Sequence, residues 1–478
     1  MRAYADHDAT GLAALVAAGE TTPDELLDAA LAGVEATHEL NAVVGVYEAV
    51  AREAIRRGLP EGPFRGVPFL LKDLGAEATD LPASSGSRLF AKTTYPQDSA
   101  IVARLRSAGL VAFGRTASPE LGIGAATEAA VYGGPTRNPW NLDRTPGGSS
   151  GGAGAAVAAG VVPAAHGSDG GGSVRIPASS CGLFGFKPTR ARLPDGPYSG
   201  EGWAGMAIDG FLTRTVRDSA ALLDACAGTD AGAPYVAPPL DGTFRDARPP
   251  GGLRIASCTT TLAGEAIHAD CRTAVEDAAR LLESMGHHVE EARPDADSAA
   301  MMEAWTNVVA AGTAASVRGR LQALGRKLRD GDVENVVRDA CRVADGISGA
   351  DYVDALATIH AYGRQMAAFF ERYDVLVTAT LAEPPARIGR FAHTRGSYRD
   401  YRLGPDGIFA YSPFCAAFNA TGQPAVSVPL HWNGEDLPVG VHLAAPFGAD
   451  TMLMGLCFAL EEARPWFDRR PPLFVGSS

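Results

Sequence analysis

The sequence predicts an α/β protein built on one large, mixed, twisted β-sheet with helices over both faces. Three observations predict it. From about residue 64 onward short β-rich runs alternate with longer helical ones, the pattern of a layered sheet. The chain has 478 residues, 46% hydrophobic and 20% charged, which is enough apolar material for a large core. Its two Pro/Gly-rich stretches, Gly228–Gly252 and Ala382–Gly407, have neither the length nor the monotony of a flexible linker and read as surface loops of a single domain spanning 1–478.

The elements follow in chain order. Thr22-Pro23-Asp24-Glu25 reads as a capping box with Pro at the first helical position, and Leu27, Leu31 and Val34 then recur on one helix face. Gly66–Leu71 is a compact apolar run. Asp98–Ala108 carries Ile101 and Leu105 as a helix closed by Gly109, and Leu110–Phe113 follows as a strand. Thr215 caps a helix over Val216–Ala227. Ile255 and Ala256 lie in a strand before a long helix, His268–Met285, which Gly286 stops. Residues 299–370 read as a helical region that caps the pocket. Val375–Thr378, Ala425–Leu430 and Val439–Leu443 supply later strands, and Asp450–Ala463 a last helix.

Charge and cysteine usage narrow the function classes. A net charge of -13 speaks against nucleic acid or an anionic membrane as partner, because both need a basic footprint; a small neutral substrate fits better. Cys181, Cys226, Cys258, Cys271, Cys341, Cys415 and Cys457 stand singly, without CxxC pairs or accompanying His spacing, so no zinc site or disulfide framework is expected. The start of the chain meets acid at Asp6 and Asp8, where a signal peptide needs an apolar stretch, and Gly151–Ala165 is too short and too Pro-broken to span a bilayer. A cytoplasmic protein, monomeric or homodimeric, is expected.

The densest chemistry lies in two glycine-serine runs, Thr145–Gly154 and Gly167–Pro177. Successive glycines let backbone N–H groups converge on one point, an anion nest. The first run lacks the Lys-Ser/Thr ending of a phosphate-binding loop, and neither has a dinucleotide fingerprint, so an oxyanion hole beside Ser173 is the better use. A serine needs a base to become a nucleophile. His166, seven residues before Ser173, reads as a packed residue. Lys72 ends the apolar run Val67–Leu71, and burial lowers a lysine's pKa toward the range in which it accepts protons at neutral pH.

These motifs resemble the amidase signature hydrolases. Leu71-Lys72-Asp73, the run Gly147–Gly152 and the segment Gly167–Ala178 are similar to the family's lysine, GGSSGG and G-S/T-D-x-GGS-x-R-x-P-A motifs, and the likeness extends from about residue 10 to 465 with its densest part over 65–230. The resemblance implies a Ser-cisSer-Lys triad. Lys72 is the ultimate base, Ser149 the bridging residue with a cis peptide, and Ser173 the nucleophile; Ser149 is chosen over Ser150 because the family's serines stand 24 residues apart, as Ser149 and Ser173 do. It further implies an oxyanion hole of Gly170, Gly171, Gly172 and Ser173, a bracing pair in Asp169 and Arg175, an acyl-enzyme intermediate, and no metal or organic cofactor.

Substrate is less defined by the motifs. The family's tRNA-dependent glutaminase branch carries Y-x-x-D-x-x-T before a late strand; here Ile408–Thr421 lacks that acid, which argues against glutamine. A catalytically silent binding relative is the other alternative, and one expected to have lost Lys72, Ser149 or Ser173. The Gly170–Gly172 run is similar to that of family members acting on cyclic or linear aminohexanoate amides, and three glycines are expected to widen and loosen the site. Gly124, Ala125, Tyr132, Trp305, Phe409 and Phe414 are the candidates for the pocket, and the expected partner is a small amide, carbamate or ester.

Overall fold

The Thr22 hydroxyl accepts the Glu25 N–H and the Glu25 carboxylate accepts the Thr22 N–H, so the capping box forms and starts the Pro23–Ala36 helix. Its Leu27 is buried and Leu31 and Val34 pack against the core, the one-sided burial that their spacing predicts. The structure, a computed structural model, describes residues 2–248 and 251–476; Met1, Pro249 and Pro250 of the Gly228–Gly252 stretch, Ser477 and Ser478 lie outside the described residues.

Eleven strands form one sheet: β1 (Val43–Val46), β2 (Pro68–Lys72), β3 (Val111–Thr116), β4 (Ala164–Asp169), β5 (Phe184–Lys187), β6 (Ile208–Thr213), β7 (Arg254–Ser257), β8 (His288–Glu291), β9 (Val375–Ala379), β10 (Ala425–Trp432) and β11 (Pro438–Ala444). Their order is β1-β3-β2-β4-β6-β5-β10-β11-β9-β7-β8. Parallel pairs (β2 with β3 and β4, β7 with β8 and β9) join antiparallel ones through β6, β5, β10 and β11, so the sheet is mixed, as expected. Every residue of β2, β5, β9 and β11 is buried. Since alternate side chains leave a strand on opposite faces, both faces of the sheet are covered there. The edge strands β1 and β8 are largely open.

The parallel pairing of β2 with β4 positions the site. Leu70 lies beside Ala165, so the two strands end at the same edge and Lys72 emerges next to Ser168 and Asp169. The helix Gly151–Ala158, buried throughout, packs against this part of the sheet. Its closeness depends on Gly152, where a Cβ would stand 2.3 Å from the Ala117 nitrogen. Ser149 and Ser150 therefore arrive at the sheet edge just ahead of the helix.

Residues 299–370 are helical, as three helices: Ser298–Ala323, Asn335–Asp345 and Gly349–Phe370. The Ala382–Gly407 stretch is more than a surface loop. It contains the helix Tyr398–Leu403, capped by Ser397, and buries Phe391, Tyr398, Tyr401 and Arg402. Charged residues interrupt its aromatic spacing, which hides the buried face in the sequence.

Candidate active site

Lys72 is fully buried at the end of β2, with Nζ 2.7 Å from Ser149 Oγ and 2.9 Å from Ser168 Oγ. Burial lowers its pKa to about 7 against the opposing pull of Asp209 and Asp169. The Gly148–Ser149 peptide is cis. Ser150 has a different set of partners: its Oγ accepts the Ser168 N–H at 3.2 Å, and its own N–H donates to the Ser173 carbonyl at 3.1 Å. The lysine thus meets the first serine of the pair, and the second stitches the two glycine runs together. His166 is packed, its Nδ1 accepting the Lys72 N–H at 3.4 Å and its Nε2 facing Asp209 Oδ1 at 3.1 Å.

Ser173 sits in the turn between β4 and the helix Arg175–Cys181. Asp169 organises that turn. Its carboxylate accepts from Gly172 N–H at 2.8 Å, Val174 N–H at 3.2 Å, Arg175 Nε at 2.9 Å and Arg175 Nη2 at 2.8 Å. Burial pushes this carboxyl's pKa up, but Arg175 and Asn419 outweigh it and hold the group well below the usual carboxylate range. Arg175 also donates to the Cys415 carbonyl, His442 Nε2 and Asn419 Oδ1. Asn419 in turn donates to the Asp169 carbonyl and carboxylate, both at 2.9 Å. Gly172 N–H is committed to Asp169, whereas among the described residues the N–H groups of Gly170, Gly171 and Ser173 have no protein acceptor.

A buried pair is costly to break because the remaining charge stays unpaired. Asp169→Asn is therefore expected to lower unfolding free energy by about 3–5 kcal/mol at neutral pH, measured by urea denaturation. Asp169 has its pKa depressed by folding, so this contribution is present above the ordinary carboxylate range and is lost only as pH falls well below it.

The glycine trio does not loosen the site. A Cβ on Gly170 would stand 2.6 Å from the Trp203 ring, one on Gly171 2.5 Å from the Trp305 ring, and one on Gly172 2.5 Å from Cys415 Cβ. Gly172 also has a φ of +117°, which favours glycine. The missing side chains make room for two indoles rather than for ligand.

Beside Ser173 lies a narrow cavity of about 30 Å³, lined by Gly122, Gly124, Ala125, Gly171, Ile176, Trp203, Trp305, Arg402, Ile408, Phe409 and Ser412. Four of the pocket candidates, Gly124, Ala125, Trp305 and Phe409, are brought together here. Tyr132 and Phe414 are not. The Tyr132 hydroxyl donates to Asp73 at 2.5 Å, and Phe414 is buried ahead of the helix Cys415–Ala420. Both are aromatic residues in plausible segments, but one is turned to a carboxylate and the other into the core. A larger open groove, lined in part by Arg190, Asp195, Glu201 and Asp230, includes none of Lys72, Ser149 and Ser173.

Sequence reading missed Ser168, Trp203, Arg402, Asn419 and His442 as parts of this neighbourhood. Ser168 had a signal in its position one residue before Asp169, and the Ser397-x-x-Asp400 cap marked the helix that carries Arg402. Glu120, Glu334 and His393 also approach one another, outside the lining of the cavity beside Ser173. Most of their polar atoms are engaged: Glu120 accepts from Ser87 Oγ and Glu334 N–H, Glu334 accepts from Ala130 N–H, and His393 Nε2 meets the Ile123 carbonyl, while His393 Nδ1 lies 3.0 Å from Glu334 without hydrogen-bond geometry.

An eleven-stranded mixed sheet with a buried lysine, two serines and a glycine turn at one edge defines a class, and the chain belongs to it: the Amidase family model matches residues 25–454. It is a hydrolase of amide carbon–nitrogen bonds. Among its relatives is the 6-aminohexanoate-cyclic-dimer hydrolase of Paenarthrobacter ureafaciens, 36% identical over 483 residues that cover 98% of this chain and 97% of that one. The solved structure of 6-aminohexanoate cyclic dimer hydrolase complexed with substrate matches with a TM-score of 0.93 at 35% identity, over 98% of this chain and 99% of that one. A bacterial aryl acylamidase of the amidase signature family matches with a TM-score of 0.86 at 29% identity, over 96% of each chain. Among the described residues no helix is long and apolar enough to cross a membrane.

Proposed function

We propose that the chain hydrolyses small amides through a Ser173–cis-Ser149–Lys72 relay and an acyl-enzyme. The observation that carries this reading is the 2.7 Å approach of Lys72 Nζ to Ser149 Oγ in a site whose burial holds the lysine near pH 7. Ser173 Oγ attacks the amide carbonyl carbon while its proton passes to Ser149 Oγ, whose own proton passes to neutral Lys72. The N–H groups of Gly170, Gly171 and Ser173 hold the tetrahedral oxyanion. As that intermediate collapses, the carbon–nitrogen bond breaks and the proton returns from Lys72 through Ser149 to the leaving amine. Water then attacks the acyl-Ser173 ester, giving its proton to the same relay, and the acid leaves. Asp169, Arg175 and Asn419 hold the glycine turn in place.

The relatives' named substrate and the apolar, aromatic lining around Trp305 and Phe409 support an aliphatic amide as substrate. Carbamates and aryl esters present the same carbonyl. No Asp or Glu is among the residues lining the cavity, so a glutamine α-amino group has no counter-ion there. The test is a screen of aliphatic amides, glutamine, anilides, aminohexanoate cyclic and linear dimers, carbamates and p-nitrophenyl esters ranked by kcat/KM. At least one amide is expected to turn over, with glutamine at background; esters alone turning over contradicts an amidase.

A further inference from the structure

Arg402 is buried as completely as Arg115 and Arg175, but its surroundings differ. Arg175 directs its donors to a carboxylate, a carbonyl, an imidazole and an amide oxygen. Arg115 directs both Nη groups to backbone carbonyls. Arg402 has one long hydrogen bond, from Nε to Thr306 Oγ1 at 3.4 Å, and its buried Nη2 has no partner. Among the described residues no carboxylate pairs with it. What surrounds it is aromatic: its guanidinium carbon lies 4.3 Å from the Trp305 ring centre, 5.1 Å from Phe409 and 5.4 Å from Tyr398.

Stacking of this kind covers the faces of a guanidinium and leaves its edge, where the N–H donors point, unsatisfied. A buried cation without an anion is costly, and π faces offset only part of that cost. Arg402 lines the same cavity as Ser173. A second donor without an acceptor lies in the same wall, the buried indole Nε1–H of Trp305. Two buried orphan donors, one of them charged, belong to side chains that line a cavity with no acid in its lining, and they call for an acceptor-only anionic group in the plane of the guanidinium. A carboxylate is that group.

We propose that Arg402, with Trp305 beside it, is a receptor for a carboxylate carried by the substrate, so that this enzyme prefers amides bearing a carboxylate on one side of the scissile bond. This rests on the amidase reading of the same cavity for the statement that the ligand is a substrate. The geometry does not choose the side: the carboxylate belongs either to the acyl group, as in a monoamide of a dicarboxylic acid, or to the amine, as in an N-acyl amino acid. A linear aminohexanoate oligomer is of the second kind. In each case the carboxylate anchors one end while the carbonyl meets Ser173.

Two matched pairs decide it: glutaric acid monoanilide against its methyl ester, and N-butyryl-6-aminohexanoate against its methyl ester. With wild-type enzyme, kcat/KM for the acid is expected to exceed that for the ester roughly 10- to 100-fold in at least one pair, and the favoured pair identifies the side. Arg402→Gln erases that preference while moving the ester's kcat/KM far less; Arg402→Lys retains most of it. Equal turnover of acid and ester in both pairs, or a preference that survives Arg402→Gln, overturns the proposal. Calorimetric titration of Ser173→Ala protein with the same four compounds reads binding without turnover and without altering Arg402: acid binding about tenfold or more tighter than ester supports the receptor, and equal binding refutes it. If no amide is hydrolysed and Ser173 resists fluorophosphonate, the amidase reading fails by itself, and the titration still decides Arg402.

Discussion

Ser173→Ala is expected to lower kcat by a factor on the order of 10⁵ to 10⁶ while leaving KM within a few-fold, because removing a nucleophile from a coupled relay abolishes the route and leaves only the residual help of the oxyanion donors. The substitution removes one oxygen from a turn whose shape is set elsewhere. Asp169, Arg175 and Asn419 hold that turn through bonds that do not involve the Ser173 hydroxyl. The fold therefore survives, and thermal unfolding should show it. Ser149→Ala is expected to cost nearly as much, since Lys72 then has no bridge, whereas Ser150→Ala costs far less because its hydroxyl bonds to the Ser168 backbone and not to Lys72. A Ser150 variant as inactive as the Ser149 variant would contradict the order of the relay. Steady-state kinetics on the three variants reads all of this.

Lys72→Met carries the second large effect, a loss on the order of 10⁴-fold or more in kcat/KM. Its sign with pH is the sharper test. Lysine accepts a proton only when neutral, and burial brings Lys72 down to about 7. Wild-type kcat/KM is therefore expected to climb about tenfold per pH unit below that value and to level off above it, and the climb should vanish from the residual activity of Lys72→Met. Stability carries a matching signature. With the folded pKa below the unfolded one, the unfolded chain binds more protons between about 7 and the ordinary lysine range, so stability rises with pH across that window. Relieving the buried lysine by Lys72→Met should raise Tm more at pH 6 than at pH 9.

Much of this was legible in the residues because it is local. The Thr22–Glu25 box, the apolar run ending at Lys72 and the β-branched run at Val375–Thr378 each declare an element within a few positions, and each forms. The candidate relay was legible for a different reason: its residues lie in two glycine runs and at one strand end, and the resemblance, through the family's spacing of its serines, picks Ser149 over Ser150; the hydroxyl that Lys72 Nζ contacts is that of Ser149. The rest depends on contacts across the chain. Asn419 reaches Asp169 from 250 residues away, and nothing in its own neighbourhood points there. Tyr132 and Phe414 show the same limit from the other side, since an aromatic residue does not state which cavity or core it will fill. The glycine trio misled because the missing side chains were read as space for ligand, when Trp203 and Trp305 fill that space.

The proposed mechanism turns on acylation of Ser173. Labelling the purified protein with a fluorophosphonate and mapping the adduct by peptide mass spectrometry tests it most directly. A single adduct on the peptide containing Ser173, absent from Ser173→Ala and reduced by competing amide substrate, is the predicted result. An adduct on another residue, or equal labelling of Ser173→Ala, would contradict it.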